Sequence, residues 1–457
     1  MTLRTRLAVL AAKAALKACH LSGRPGSSLP GRAALKVDPH IIAPLAAGIR
    51  RGIIVTCGTN GKTTTNNLLC SMLEAQGFRV VSNRLGANMV EGVAAALATA
   101  AKGPLTSKGP LGYLAADFAC LEVDEASAAR VLQDLHPDFM ILTGLFRDQL
   151  DRYGEIDLTM KALEKAILEA PDMTTLVING DDPLTAYLAK KSAHRIVSYG
   201  VNEKVTGNVD VIREGRFCEN CGAPLQYDFY HFSQLGVYRC PSCGFGRPEI
   251  DYSASGVRLS PQLSFDIQKI KSAPVRISAP MTGFYNVYNI LAVFSVLREM
   301  KISTEMFSEV LSSFKPQFGR GEIFHVGEKR RQKVLLNLAK NPAGFNQNIS
   351  AMLQDRSPKD LIIVINDNAQ DGRDVSWLWD VDFDRLADET IRSITVSGLR
   401  ALDMQLRLKY VEIKSERAPD VEKAIDERLA DGCENLYVLV NYTALYEAHK
   451  YLEGLEK

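Results

Sequence analysis

Thirteen residues, Ile53 to Thr65 (IIVTCGTNGKTTT), hold the densest chemistry in the 457-residue chain. Ile53, Ile54 and Val55 form a β-branched run of the kind buried in parallel strands. Gly58, Asn60 and Gly61 then turn the chain, and Lys62-Thr63-Thr64 opens a helix continued by Leu68, Leu69, Met72 and Leu73. Strand, Gly-bearing loop and helix N-terminus make a phosphate cradle: loop N–H groups and the positive helix end face the anion, Lys62 adds a point charge, and the Thr63 hydroxyl can ligate Mg²⁺. Gly58, Thr59, Asn60, Gly61, Lys62, Thr63 and Thr64 are therefore the expected ATP-binding residues. The spacing departs from G-x-x-x-x-G-K-[ST], because Thr56 stands where the first Gly belongs. A plain strand-to-helix turn with a capping Thr is the competing reading.

Two further clusters carry chemistry. Ala115 to Val123 reads as a strand ending in Glu122-Val123-Asp124-Glu125, and carboxylates at such a strand end can hold Mg²⁺ directly or through water. Acidic residues also sit there simply as solvated strand ends. Cys218-x-x-Cys221 and Cys240-x-x-Cys243 form a structural zinc signature, with Gly222 and Gly244 placed for the two knuckles. Four thiolates leave no open coordination position, so this zinc folds a small segment rather than catalysing; a redox dithiol or an iron–sulfur site is the alternative. Cys19, Cys57, Cys70, Cys120 and Cys433 read as small buried hydrophobes of a reducing cytosol.

The length fits two or three α/β domains, and a net charge of +1 gives no basic excess for nucleic acid. In the zinc segment, Arg213, Arg216, Arg239 and Arg247 interleave with Glu214, Glu219 and Glu249, which is not a strand-binding surface. No apolar run is long enough to span a membrane. The first twenty residues do not read as a signal peptide, since Lys13 and Lys17 interrupt the apolar stretch. They form either a helix docked on the core or a basic amphipathic helix lying on a membrane. Ser22 to Gly31 reads as a loop. Strands are expected at 78–82, 115–123, 137–143, 176–179 and 195–199, and residues 100–112 as a surface connection. From Val334 a strand–helix rhythm with strands at 334–339, 361–366, 393–397 and 435–440 describes a second, Rossmann-like α/β unit.

The variant cradle resembles that of the Mur ligase family, which joins amino acids to peptidoglycan precursors through acyl phosphates. Several other segments carry the resemblance: FRDQLDRYGE at 146–155, Asn179-Gly180-Asp181-Asp182-Pro183, Gly283 to Asn289, and Phe318-Gly319-Arg320-Gly321-Glu322. It implies that Glu122 ligates Mg²⁺ with Thr63, that Asn286 and Asn289 contact the nucleotide, that Arg320 meets the γ-phosphate, and that Lys340 faces the cleft. Capping (Asn286), Asx/Pro turn chemistry (179–183) and an ordinary surface Arg are the simpler alternatives. Gln149 and Tyr153 stand where amino-acid-adding members usually carry His, and neither Lys161 nor Lys165 matches their carbamylated Lys.

The stretch Asp371-Gly372-Arg373-Asp374-Val375-Ser376-Trp377-Leu378-Trp379-Asp380 resembles an amidating branch of that family. On composition alone it is an acidic turn. The resemblance implies that Asp374 completes, across an interface, a Cys-His-Asp triad owned by a GatD-like glutaminase partner. The implied fold is a Mur ligase-type P-loop ATPase middle domain (46–315) with a four-cysteine zinc ribbon inserted at 213–249. An N-terminal helix and loop (1–45) precede it, and a Rossmann-like partner-binding domain (316–457) follows. The implied function is the synthetase half of a heterodimeric, glutamine-dependent carbon–nitrogen ligase. It would use ATP, Mg²⁺ and structural Zn²⁺ to amidate the D-glutamate α-carboxylate of lipid II, in the cytoplasm or at the inner membrane face. Asp374, Lys62, Glu122 and Arg320 are the expected catalytic set, and this chain alone should not hydrolyse glutamine. Two other readings stand against it: a free-standing Mur or folylpolyglutamate-type ligase, and a zinc-ribbon ATPase acting on nucleic acid.

Overall fold

The computed structural model describes residues 2–22, 26–84, 87–101, 114, 116–148, 156–205, 215–260, 262–315, 319–327 and 331–456. Gln149, Asp151, Tyr153, Gly154, Arg213, Glu214, Phe318 and the connection at 102–112 lie outside them.

The Ile53–Val55 run sits at the middle of β1 (Ile49–Cys57), a strand buried on both faces. Ile54 faces one hydrophobic core, and Ile53 and Val55 face the other. The parallel strands β2 (Val80–Ser82), β3 (Ala116–Glu122), β4 (Phe139–Leu142), β5 (Thr175–Asn179) and β6 (Arg195–Val201) flank it. A separate hairpin, β7 (Gln226–Phe232) and β8 (Leu235–Arg239), precedes β9 (Tyr252–Arg258), β10 (Leu263–Lys269) and β11 (Val275–Ala279). The nine-stranded sheet runs β11-β10-β9-β6-β5-β4-β1-β3-β2. β1 thus lies between β3 and β4, where the connections diverge to opposite sides and open a crevice beyond the strand ends. The register pairs Thr56 with Glu122 and Cys57 with Leu142, so the loop after β1 emerges beside the end of each neighbour.

Under the sheet, the helix Lys62–Ala75 buries Leu68, Leu69, Met72 and Leu73 against the helix Tyr285–Glu299. On the other side three helices, Leu3–Leu21, Leu29–Val37 and Ile42–Ala46, precede β1. The expected loop through Gly31 is therefore cut short by a helix beginning at Leu29. Pro30 is tolerated there because first-turn N–H groups have no intrahelical acceptor. Gly31 lets this helix meet Val90–Ala100 at backbone distance: a Cβ on it would fall 1.7 Å from the Glu91 carbonyl oxygen.

The second sheet contains β12 (Arg320–Val326), β13 (Gln332–Leu338), β14 (Lys359–Val364), β15 (Ile391–Ser397), β16 (Glu416–Arg417) and β17 (Asn435–Val440), ordered β12-β13-β17-β14-β15-β16. The strand–helix rhythm misses β12, β16 and the helix Ala401–Tyr410. β12 is an antiparallel edge whose polar residues hide its alternation, and the helix leaves Leu402, Leu406 and Tyr410 exposed, which blurs its period. β12 is positioned by what it carries: its first residue, Arg320, reaches into the crevice of the other sheet.

Candidate active site at the junction of two sheets

The cradle is held open by glycines. Gly58 has φ +117°, and a Cβ on it would lie 2.4 Å from Thr143 Oγ1; Gly61 has φ +85°, and its Cβ would lie 2.4 Å from Asn289 Oδ1. Only Gly combines that backbone with that closeness. Thr143 Oγ1 donates to the Asn60 carbonyl at 2.7 Å, and the Thr59 N–H donates to the Gly144 carbonyl at 2.8 Å, fixing the loop to the end of β4. Gly61 offers no side chain to cap the helix that follows. The uncapped first turn suits an anion.

Lys62 is buried and donates to Gly58 O at 2.5 Å, Thr59 O at 3.4 Å and Glu125 Oε1 at 2.9 Å. Burial works against its charge, but Glu125, Glu122 and Asp124 outweigh it and hold the ammonium well above its ordinary range. Burial likewise opposes ionisation of Glu125, and the adjacent Lys62 reverses this and lowers its carboxyl. Asp124 caps the helix Glu125–Asp134 by accepting from Ala126 N at 3.1 Å. Glu125 and Asp124, one residue apart, therefore have separate jobs.

Glu122 faces Thr63. Its Oε2 accepts from Thr63 Oγ1 at 2.6 Å and its Oε1 from Asn88 Nδ2 at 2.9 Å, while Asn83 brackets its backbone at 2.7 and 2.9 Å. Adjacent ligands on octahedral Mg²⁺ lie roughly 2.9 Å apart for bonds of about 2.0–2.1 Å. Thr63 Oγ1 and Glu122 Oε2, 2.6 Å apart, therefore need little movement to share one ion, and the donor set fits. Arg320 donates from a terminal guanidinium nitrogen to the same Thr63 Oγ1 at 3.0 Å, and burial depresses its pKa.

Thr59 to Thr64, Glu122, Arg320, Lys340 and Asn289 line one cleft of about 340 Å³. Asn286 does not. It is the second residue of the helix Tyr285–Glu299 rather than its cap, donating to Thr282 O at 2.7 Å and accepting from Asn289 Nδ2 at 2.9 Å. It orients Asn289. Gly283, at φ +85°, turns the chain into this helix two residues before Tyr285.

The far wall comes from the second sheet. Asn341 caps the helix Pro342–Gln354 and exchanges two amide hydrogen bonds with Asn60 at 3.0 and 3.3 Å. Lys340 pairs with Asp148, and Arg147 with Asp380 at 3.1 Å. Asp380 ends the 3₁₀ turn Ser376–Asp380, at whose start Asp374 accepts from Ser376 N at 2.7 Å. Asp374 is half-buried and lies outside the cleft lining. The Ser376 side chain and N–H keep its carboxyl below the ordinary range, so it is an anion.

The four zinc-motif thiols converge as well. Cys218 and Cys243 Sγ are 3.6 Å apart, Cys221 and Cys240 Sγ 3.5 Å, and all four lie within 4.8 Å. A ZnS₄ tetrahedron with ~2.3 Å bonds needs edges of ~3.8 Å. Gly222 and Gly244, at φ +75° and +74°, donate back to Cys218 O and Cys240 O in matching knuckles. The segment is not left without a core, as its length suggested. Tyr238 and Phe245 join the main core, Gln234 donates to Leu145 O at 2.5 Å, and Arg247 donates to the fully buried Asp181 at 2.6 Å.

Residues 55–297 match the Mur ligase middle domain, and residues 338–445 match the MurT ligase C-terminal model. Over 413 residues the chain is 37% identical to a lipid II isoglutaminyl synthase (glutamine-hydrolyzing) subunit MurT of Staphylococcus aureus (strain COL), covering 90% of this chain and 89% of that one. The corresponding subunit of Streptococcus pneumoniae (strain ATCC BAA-255 / R6) is 33% identical over 99% of this chain and 98% of its own. The chain belongs to the MurT branch of the Mur ligase family. Its fold is also that of the Thermotoga maritima MurF ligase crystallised with ADP, at a TM-score of 0.63 and 15% identity, over 92% of this chain and 84% of that one.

The cleft residues Thr59 to Thr64, Glu122, Arg320 and Lys340, and the separate four-Cys cluster, were singled out by sequence motif or family resemblance. The partner of Lys62, the Asn60–Asn341 pair, and the Arg147–Asp380 and Arg247–Asp181 bridges were not. Asn341-Pro342 after a strand is a helix-start signal that could have found the Asn341 cap; the bridges join residues 66 or more positions apart and leave no local mark. Lys161 and Lys165 are exposed on the helix Ile156–Glu169.

Proposed function

We propose that this chain is the synthetase subunit of a lipid II isoglutaminyl synthase. The carrying observation is the convergence of Lys62, Thr63, Glu122 and Arg320 from two sheets on one cleft, in a MurT-family chain. The D-glutamate α-carboxylate attacks the γ-phosphorus of ATP, giving an acyl phosphate and ADP. Ammonia then attacks the carbonyl carbon, phosphate leaves with the C–O electron pair, and one nitrogen proton is lost to give the amide. The first step is needed because hydroxide is a poor leaving group. Mg²⁺ held by Thr63 and Glu122 would neutralise phosphate charge. Lys62, once turned from Glu125, and Arg320 stabilise the oxygens that gain charge in transfer. Asn289, positioned by Asn286, and Lys340 complete the nucleotide's surroundings. Cys218, Cys221, Cys240 and Cys243 would hold zinc, which would have a structural role.

We assign residues 46–315 to the ATPase unit and 316–457 to the unit that binds a GatD-like glutaminase. Asp374 supplies that partner's triad with the carboxylate that fixes the imidazole tautomer and stabilises the imidazolium. Its half-burial in the single chain supports the reading, since the carboxylate is open to a second subunit. The reaction takes place at the inner membrane face, where a lipid-linked substrate lies; among the described residues no helix is long and apolar enough to cross a membrane.

The test is mass spectrometry of lipid II or a muramyl pentapeptide incubated with the chain, ATP and Mg²⁺. With ammonium chloride, one carboxyl becomes a carboxamide; with glutamine, this requires the partner and is lost in Asp374→Asn while ammonium-driven turnover persists. Addition of a whole amino acid would instead make the chain an ordinary Mur ligase. Glutaminase activity in the single chain would overturn the division of labour.

A further inference from the structure

The helix Leu3–Leu21 has two apolar faces. Thr5, Ala8, Val9, Ala12 and Cys19 are buried against the neighbouring helices. The opposite face is not polar, as a helix resting on a core would have it. Leu3, Leu7, Leu10 and Leu21 are 73, 50, 46 and 82% exposed, and Ala14 and Ala18 are exposed between them. At 100° per residue these six positions fall on one stripe, about 27 Å long at 1.5 Å rise per residue.

The charge around the stripe is one-sided. Residues 1–37 contain seven Lys or Arg and no Asp or Glu, in a chain whose net charge is only +1. Arg6, Lys13 and Lys17 run along one flank of the stripe; on the other, Arg4 donates to Val37 O at 2.6 Å. Thr5 Oγ1 donates to the buried Asp38 at 2.8 Å, so the first two helices are tied as a hairpin. Ser28, between those helices, lines the catalytic cleft, which joins the stripe to the rim of the site.

We propose that this face is an in-plane docking surface for an anionic phospholipid bilayer. The exposed leucines enter the acyl boundary and the flanking cations meet headgroup phosphates, while the inner face stays on the core. The small inner residues permit this, because they hold the helix close to the protein without using its long side chains. For the substrate's location the inference rests on the function proposed above. Its test does not, since vesicle binding needs no turnover.

The experiment is vesicle flotation of the full chain, alone and with its partner subunit, on phosphatidylcholine vesicles with and without phosphatidylglycerol. Wild type should float with the anionic vesicles and lose binding at high salt. Leu7→Asp/Leu10→Asp should weaken partition at least about tenfold, because it removes buried apolar area and adds repulsion. The same variant should keep its melting temperature and its ammonium-driven turnover of a water-soluble muramyl pentapeptide, since both side chains lie outside the cleft and core. Failure of wild type to float on anionic vesicles would overturn the proposal, as would undiminished binding by the double variant. Self-association of wild type in light scattering, abolished by the same substitutions with no vesicle binding, would also overturn it, reassigning the face to a second copy of the chain.

Discussion

Replacing Glu125 by Gln should destabilise the nucleotide-free protein and at the same time tighten ATP binding. Lys62 lies 2.9 Å from Glu125 with both side chains 7% exposed. Removing one partner of a buried pair costs about 3–5 kcal/mol, chiefly by leaving the other charge uncompensated. Lys62 keeps its bonds to Gly58 O and Thr59 O, so the lower end applies, ~3 kcal/mol, or a fall of roughly 6–12 °C in melting temperature for a domain of this size. ATP reverses the balance. A phosphate oxygen must displace Glu125 from Lys62, and in the variant that competitor is gone. If bound nucleotide recovers half the loss, ~1.5 kcal/mol, the dissociation constant falls about tenfold. Thermal melting with and without Mg-ATP, and calorimetry of nucleotide binding, measure the two effects.

The pH dependence supplies a further check. Glu125 is held below its unfolded value, so its contribution is complete above about pH 4.3 and disappears as pH falls through the lowered value. Lys62 is held above its unfolded value, so its contribution is complete below about pH 10.4 and disappears as pH rises through the raised value. The difference between wild type and variant should therefore stay flat from about pH 5 to 10. An unchanged melting temperature with unchanged ATP affinity would refute the assignment of Glu125 as the resting counter-ion of Lys62.

Glu122→Gln, which keeps the Asn88 contact but loses the charge, should lower turnover by about 10²–10³ and raise the Mg²⁺ concentration needed for half-maximal rate; an unchanged Mg²⁺ requirement would remove Glu122 from the metal site. Cys218→Ser should abolish stoichiometric zinc by elemental analysis and loosen the hairpin β7–β8 to proteolysis, whereas full zinc content in the variant would refute the four-thiolate site. Arg247→Ala should cost about 3 kcal/mol in unfolding experiments, because it removes the guanidinium from the buried carboxylate of Asp181, which keeps hydrogen bonds from Tyr288 and the Val201 N–H. Loss of zinc without loss of that stability would show that the ribbon is anchored elsewhere.

Local signals carried most of what was read directly from sequence. The β-branched run at 53–55, the Gly–Lys–Thr turn and the CxxC pairs each act within a few residues, where backbone sterics and ligand spacing leave few choices. Asn286 shows the limit of such signals: neither nucleotide contact nor capping describes it in the structure, where it lies one residue inside the helix and accepts from Asn289 instead. The helix Leu29–Val37 was missed because Pro30 and Gly31 speak locally for a loop. Only the packed helix Val90–Ala100 shows that Gly31 marks a close contact.

What the sequence by itself determined is therefore the inventory: a phosphate cradle, a four-cysteine cluster, two α/β units and a loop of MurT type. Tertiary structure decided the assignments within it. Three adjacent acids became a magnesium-site candidate, a helix cap and a counter-ion because β3 ends beside Thr63 and Lys62. Arg320 meets Thr63 across 257 positions, Asn341 meets Asn60 across 281, and Asp380 meets Arg147 across 233. Such pairs are chosen by the packing of one sheet's strand ends against another's, and no local periodicity encodes that choice.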